Sequence, residues 1–194
     1  WVDYSMGSGS PVPNYYASVP LEAATLQSHR GLWTGGDVSP AEKVLVKFAL
    51  QGSVGGQYGA LRLLDYLLYY PFIDLDDTSE QPMVNDVSLP RFSDGAHVLP
   101  MLVTVAPTLG GGQFFFTYIN QDGVEKTAPT QLAAGVASPL QNGSVVTTST
   151  ASDGNPGAFL TLAAGDTGIR RLLTWTNITP NGGLGALVLV KVLA

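Results

Sequence analysis

The sequence predicts a mainly β protein: an antiparallel β-sandwich or jelly-roll-like body, with one short helix and an extended N-terminal arm. After residue 90, short segments rich in β-branched and aromatic residues alternate with turn residues, at the spacing of a sandwich or barrel. The chain of 194 residues contains 23 glycines and 13 prolines, which are typical turn residues. Its hydrophobic content of 45% is enough to bury a core.

Residues 1–40 are predicted to form the extended arm, and residues 41–194 the body. Four prolines lie among glycines and serines in the first segment, and proline removes backbone donors and favours extended conformations. Free linkers are poor in aromatic residues, whereas an arm that lies along another surface uses them as anchors. An equal alternative is that these rings pack on the chain's own core. The candidate interface residues are Trp1, Tyr4, Tyr15, Tyr16 and Trp33.

Two elements are predicted between the arm and the main run of strands. Lys43–Leu50 is expected to be a strand. Between Ala60 and Tyr70, leucines recur at helical spacing, and Pro71 ends the run. We therefore expect a helix near 60–70, in which Leu64 and Leu68 lie one turn apart and are both buried against the β body.

The strands of the body follow residue 90. In Gln113–Asn120 the alternation places Phe114, Phe116 and Tyr118 on one face. Asn120–Gly123 supplies turn residues for a hairpin into the next strand. The predicted strands are Val98–Ala106, Gln113–Asn120, Val124–Ala128, Gly143–Thr150, Ala158–Leu162, Ile169–Thr176 and Gly185–Leu193.

The composition argues against catalysis and against nucleic-acid binding. The chain has no cysteine and a net charge of −6, with nine Lys+Arg and no basic cluster larger than a pair. Its two histidines, His29 and His97, are far apart in sequence. His97 follows Asp94-Gly95-Ala96, which indicates a turn capped by the aspartate. We expect no enzyme activity, no cofactor and no catalytic or transition-metal site.

One acidic segment could bind a cation. Asp74, Asp76 and Asp77, followed by Glu80, place alternate carboxylates close together, and Ca²⁺ prefers such oxygen ligands. The segment lacks the EF-hand spacing, because no glycine stands at the sixth position and no glutamate at the twelfth. A solvated acidic loop is the better interpretation, and these residues stay a weak calcium candidate.

Three further patterns carry little functional weight. Gly110–Gly112 is not followed by the Lys and Ser/Thr of a phosphate loop and is better interpreted as a strand connection. Asn177-Ile178-Thr179 matches the glycosylation triplet, but Pro180 follows it. Trp175 and Tyr118 are candidates for a platform that stacks on sugar rings, although both lie in alternating strands where burial in the core is more common.

No membrane-spanning segment is predicted, because the longest apolar runs reach about half of the roughly 20 residues that a spanning helix needs. Residue 1 is a tryptophan with no signal-peptide pattern behind it. The final segment, 186–194, has the pattern of a buried strand that stops abruptly. We therefore expect that more chain adjoins these residues in the intact protein.

Six stretches together resemble a family of structural proteins of tailed bacteriophages. They are WVDYS (1–5), NYYA (14–17), LLDYLLYYPFID (63–74), LPRFSDG (89–95), FTYINQDGV (116–124) and GGLGALVLVK (182–191). The resemblance spans almost the whole chain. It carries no catalytic motif and no functional residues to transfer.

The resemblance implies a virion location and a structural role. The expected function is a capsid decoration or cement protein, a minor capsid component that bridges capsid subunits as a homo-oligomer. Its expected partners are the major capsid protein or other virion proteins, with no nucleic acid and no membrane. The alternatives are a tail, baseplate or fibre-attachment component and a module that binds a host glycan.

The arm yields the first testable prediction. Deleting residues 1–40 should leave a folded body that no longer attaches to particles, because the arm's aromatic residues are expected to contact a neighbouring chain. Co-sedimentation with particles that lack the wild-type copy, together with a melting curve, measures both effects. Normal attachment would contradict the prediction, and loss of folding would place the arm in the protein's own core.

Overall fold

The structure is a computed structural model, and it describes part of the chain. The described residues are 23–25, 39, 41, 44, 62–105, 111–133, 145–152, 154 and 156–193. Within these ranges the protein is mainly β, as the sequence predicts, with two antiparallel sheets packed against each other. No helix in the same ranges is long and apolar enough to cross a membrane.

Ten strands form the two sheets of the described residues. In chain order they are β1 (Ala24–Thr25), β2 (Leu64–Asp74), β3 (Gln81–Pro82), β4 (Val98–Thr104), β5 (Gln113–Asn120), β6 (Glu125–Thr127), β7 (Gln131–Ala133), β8 (Thr148–Thr150), β9 (Ile169–Asn177) and β10 (Leu184–Val192). Sheet one has the order β1-β2-β10-β4. Sheet two has the order β3-β9-β5-β7-β8, and β6 also pairs with β5.

The predicted helix near 60–70 is wrong, because residues 64–70 belong to the long strand β2. Leu67, Leu68, Tyr69 and Tyr70 are buried in succession, so both faces of the strand are covered. A strand buried on both faces has a continuous apolar run with no period of two, and such a run also fits helical spacing. Leu68 is fully buried as expected, whereas Leu64 is only half-buried.

Two bulges fit β2 to its neighbour, because 11 residues of β2 lie opposite the 9 of β10. The register steps from Leu68 to Tyr66 and leaves Leu67 as one extra residue. The second irregularity lies between Tyr70 and Ile73, where Phe72 has a φ of 67°. A bulge interrupts the hydrogen-bond ladder locally, which explains how Pro71 fits within an inner strand.

The main core lies between the two sheets. It joins Tyr70 and Leu187 of sheet one to Phe116, Leu172 and Trp175 of sheet two. Alternate side chains of β5 point into it, which confirms the predicted alternation. The rings of Phe114 and Trp175 stack with their centroids 4.3 Å apart, an arrangement that adds to the stabilisation from burial.

A second apolar cluster covers the outer face of sheet one. It contains Val103 of β4 and Val188 and Val190 of β10, together with Val145 and Ala158 from the segments that follow β7. Sheet one is therefore buried on both faces. This double burial is the reason why β10 has an almost unbroken apolar sequence.

Short segments close both sides of the sandwich. Val145 pairs with Val103 at the edge of β4, and β8, which begins three residues later, pairs with β7 of sheet two. On the other side, the Ala23 N–H donates to the Val84 carbonyl, next to β3. Within the described residues, these segments cover parts of the outer edges of sheet one.

Most predicted strands of the body are confirmed. Strands β4, β5, β6, β9 and β10 match their predicted segments within two residues. The Asn120–Gly123 turn is confirmed by the pairing of β5 with β6. Of the predicted strand Gly143–Thr150, only β8 and the bridge at Val145 occur, and its first two residues lie outside the described part. The predicted strand Lys43–Leu50 lies almost wholly outside that part.

The predicted strand Ala158–Leu162 is wrong. The chain there bends, and isolated hydrogen bonds replace a ladder: Gly157 pairs with Thr148, and the Leu160 N–H donates to the Pro100 carbonyl. The apolar residues are buried because they cover the edge of sheet one. Burial alone therefore produced a pattern that resembles a strand.

Strand β1 lies within the segment predicted as an arm. It pairs with Tyr69 and Leu68 of β2, and the neighbouring Ala23 belongs to the main core. The chain thus contacts the body well before residue 40. A variant that lacks only residues 1–22 keeps β1. In the deletion experiment it therefore tests attachment to particles separately from the packing of β1 on the body.

Burial of β2 yields a stability prediction. Leu68→Ala should lower the free energy of unfolding by about 2–5 kcal/mol, because Leu68 is fully buried and its truncation leaves a cavity. Leu132 of β7 is 40% exposed and serves as the control; its alanine variant should change the value by less than about 0.5 kcal/mol. Urea unfolding of the two variants measures the difference, and equal effects would contradict the observed burial.

Candidate functional site

The predicted interface residues all lie outside the part of the chain that the structure describes, and so does His29. The structure therefore does not place the five aromatic residues of the arm, and their role stays a prediction. The other candidate residues lie at the two ends of the sandwich, where loops join the strands. These ends contain the acidic segment, His97, and the hairpin after β5.

The acidic segment follows β2 at one end. Asp74 Oδ1 accepts a hydrogen bond from the Asp76 N–H at 2.9 Å, and Asp77 Oδ1 accepts one from the Ser79 N–H at 2.8 Å. Asp76 accepts a bond from the Gly182 N–H at 2.9 Å. The carboxylates thus fix turns instead of converging on one point. In the described ranges, no three His, Asp or Glu side chains form a group that could hold a metal ion.

Asn177 fastens the same end. Its Nδ2 donates to the carbonyl oxygens of Asp74 and Asp77 at 2.8 and 2.7 Å, and its Oδ1 accepts from Trp175 Nε1 at 2.8 Å. The side chain is buried, with 3% of the residue exposed. Its amide is therefore inaccessible to a glycosyl donor in the folded protein, in agreement with the low weight given to the glycosylation triplet.

The two candidates for a sugar platform lie in the core, which is the placement that their alternating strands favoured. Trp175 and Tyr118 are both fully buried in the main core, so neither ring can stack on a ligand at the surface. The cause is the alternation of their strands, which points both side chains toward sheet one. The Trp175 ring contacts Phe114 and Phe116 instead.

Three loops meet at the opposite end, and Arg170 holds two of them together. We call these loops, 91–97, 120–124 and 163–168, the three-loop end. Arg170 Nε donates to the carbonyl oxygens of Asp94 and Gln121, both at 3.1 Å, and its Nη2 donates to the Gln121 oxygen at 2.6 Å. One guanidinium therefore fixes the relative positions of the first loop and the hairpin.

The loop 91–97 has an unusual backbone. Phe92 and His97 have positive φ angles of 54° and 56°, and Gly95 has a φ of 71°. The Ala96 N–H donates to Asp94 Oδ1 at 3.1 Å, which confirms the predicted turn capped by the aspartate. A Cβ on Gly168 would overlap the Gly95 carbonyl oxygen, so the close approach of the loop requires glycine there.

A buried phenol ties the third loop to β5. Tyr118 Oη donates to Asp166 Oδ2 at 2.5 Å and accepts from the Ala163 N–H at 2.8 Å, while Asn120 Nδ2 donates to Asp166 Oδ1 at 2.8 Å. Burial and the bond to Asp166 raise the pKa of Tyr118 well above its ordinary value. Burial opposes ionisation of Asp166, but the bonds from Tyr118 and Asn120 prevail and lower its pKa.

This arrangement keeps Tyr118 protonated as a donor and Asp166 ionised as an acceptor at neutral pH. Such a pair holds a loop in place. The sequence indicated that Tyr118 is buried, and a buried phenol needs a hydrogen-bond partner. It gave no signal that Asp166 is that partner, because the pairing of residues so far apart is set by the fold.

Comparisons with known proteins add no relative. Models of protein families, curated proteins and solved structures were compared with the chain, and none of them matches it. The functional interpretation therefore depends on the residues and geometry of the chain itself.

The Tyr118–Asp166 pair yields a prediction with a pH dependence. Tyr118→Phe should lower the free energy of unfolding by about 1–3 kcal/mol at neutral pH, because the Ala163 N–H and the carboxylate of Asp166 both lose a hydrogen-bond partner. The lowered pKa of Asp166 means that its stabilising contribution is present above the ordinary value of 3.8 and is lost as the pH falls below it.

The measurement is urea unfolding of both proteins from neutral pH into the acid range. The difference in the free energy of unfolding between wild type and variant should become smaller as Asp166 becomes protonated. A difference that stays constant across that range would show that the bond to the carboxylate contributes nothing.

Proposed function

We propose that the protein is a non-enzymatic structural component of a bacteriophage particle, a decoration or cement protein that bridges capsid subunits. One observation carries the proposal from the structure. Buried polar side chains bind the backbone of neighbouring segments and fix the loops at both ends of the sandwich. A repeated particle contact needs a surface of constant shape, and such bonds supply it.

The bonds that fix the shape run between the sheets as well as along them. Tyr70 of β2 donates to Asn85 Oδ1 at 2.7 Å and accepts from the Leu172 N–H of β9 at 3.1 Å. Gln131 of β7 accepts from the Thr161 N–H at 2.8 Å and donates to its carbonyl oxygen at 3.2 Å. These side chains act as cross-links, and their donors and acceptors are used within the protein.

The outer face of sheet two offers a surface suited to protein contact. Phe115 and Thr117 of β5 lie opposite Thr176 and Thr174 of β9, and these four residues are half-buried. The half-buried Ile119 lies opposite Arg171, which is exposed. The hydroxyl oxygens of Thr117 and Thr174 lie 2.8 Å apart in a hydrogen bond. Interface cores are depleted of charge, and charged residues lie at the rim. Phe115, Thr117, Thr174 and Thr176 are uncharged, and Arg171 is a charged neighbour of this group. This face and the aromatic arm are the proposed contacts with the capsid.

The remaining alternatives differ in support. A tail, baseplate or fibre-attachment protein would use the same kind of surface, and copy number and symmetry distinguish it from a decoration protein. The alternative of a module that binds a host glycan has less support, because Trp175 and Tyr118, the candidates for its platform, are buried. The sequence resemblance to phage structural proteins favours the particle role.

Locating and counting the protein in purified particles tests the proposal. A decoration protein should be present in many copies on the head lattice, measured by quantitative mass spectrometry against the major capsid protein and by imaging of the particle. Heads separated from tails are the matched control and should retain the protein.

Two other results would overturn parts of the proposal. A few copies with the symmetry of the tail, lost when tails are removed, would replace the decoration role with the tail alternative. Absence from purified particles would reject the virion role altogether.

A further inference from the structure

We propose that Asn181–Gly182 is a self-modification site, at which the chain converts asparagine to aspartate or isoaspartate through a cyclic imide. The structure brings two groups to this dipeptide that assist such a reaction. The Gly182 N–H donates to the Asp76 carboxylate at 2.9 Å. Asn181 Oδ1 accepts a hydrogen bond from the Gly112 N–H at 3.3 Å.

The turn between β9 and β10 presents the dipeptide in a fixed position. The backbone N–H of Asn181 donates to the Leu75 carbonyl oxygen at 2.9 Å, and the Leu75 N–H donates to the Gly183 oxygen at 3.1 Å. Gly182 has a φ of 72°, a conformation that favours glycine. Because Gly182 has no side chain, its nitrogen is unhindered for attack on the neighbouring amide.

Gly112 completes the site. A Cβ at residue 112 would overlap the Cβ of Asn181, so only glycine lets the two segments approach this closely. The approach places the Gly112 N–H against the amide oxygen of Asn181, where negative charge develops during attack. A fixed donor at that position stabilises the charge.

The reaction balances without a cofactor. The Gly182 nitrogen attacks Cγ of Asn181, and its proton passes to the Asp76 carboxylate, which acts as a general base. The bond from nitrogen to Cγ forms, the bond from Cγ to Nδ2 breaks, and ammonia leaves with the proton that Asp76 held. Water then opens the five-membered imide at either carbonyl. The net change is one water consumed and one ammonia released.

The modification would alter this end of the sandwich. It adds one negative charge at a residue that is only 6% exposed and next to a turn bonded to Asp76. Isoaspartate also lengthens the backbone within the turn. The added charge and the altered turn should both weaken the attachment of the β9–β10 turn to the acidic segment. The inference concerns the chain's own chemistry and does not depend on the proposed function.

The experiment follows the conversion at Asn181 in the full chain by peptide mass spectrometry, near neutral pH. Asn142–Gly143 is the same dipeptide elsewhere in the chain and serves as the internal reference. Asp76→Asn keeps a hydrogen-bond acceptor but removes the base, so it should slow conversion at Asn181 about tenfold or more and leave Asn142 unchanged. Asp77→Asn is the matched control, since Asp77 bonds to Ser79 and not to Gly182.

A comparison with the unfolded chain distinguishes deamidation that the fold assists from the spontaneous deamidation of an Asn-Gly sequence. Folded wild type should convert Asn181 at a higher rate than the same protein unfolded in urea at the same pH and temperature. A slower rate in the folded protein would show that the turn protects Asn181 and would overturn the proposal. An unchanged or faster rate in Asp76→Asn would likewise overturn the role of Asp76 as base.

Discussion

The burial of β10 on both faces is the constraint on which the rest of the fold depends. Its residues from Gly185 to Val190 are all buried, with one side facing the main core and the other the second cluster. No water reaches its backbone there, so its amide and carbonyl groups need partners on both edges. Strands β2 and β4 supply them along almost its whole length.

This constraint explains which elements could be predicted from the sequence. Strand β5 has one face in the core and the other half-exposed, so its residues alternate and the sequence predicts it correctly. Strand β2 pairs with β10 and, like β10, is covered on both faces. Its apolar run therefore does not alternate with polar residues. Two bulges add residues that further remove any period of two. The short strands β3 and β7 depend on their partners and leave no pattern in the sequence.

The same distinction applies to the loops at the two ends. Turns made by neighbouring residues, such as the Asp94 cap before His97 and the hairpin after Asn120, were predictable because their chemistry is local. The bonds from Tyr118 to Asp166 and from Arg170 to Gln121 join distant segments. Their register is set only when β5 and β9 pair, so a single sequence cannot specify them.

Rigidity has a different consequence at each end of the sandwich. At the three-loop end, the bonds that Tyr118 makes to Asp166 and to the Ala163 N–H hold the loop 163–168 against β5, so the entropy of ordering this loop is lost on folding. At the acidic end, the bonds that fix the β9–β10 turn also hold a carboxylate on the Gly182 nitrogen. A fixed contact between a base and a nucleophile promotes a reaction as well as a shape, which is why slow chemistry is expected at this end.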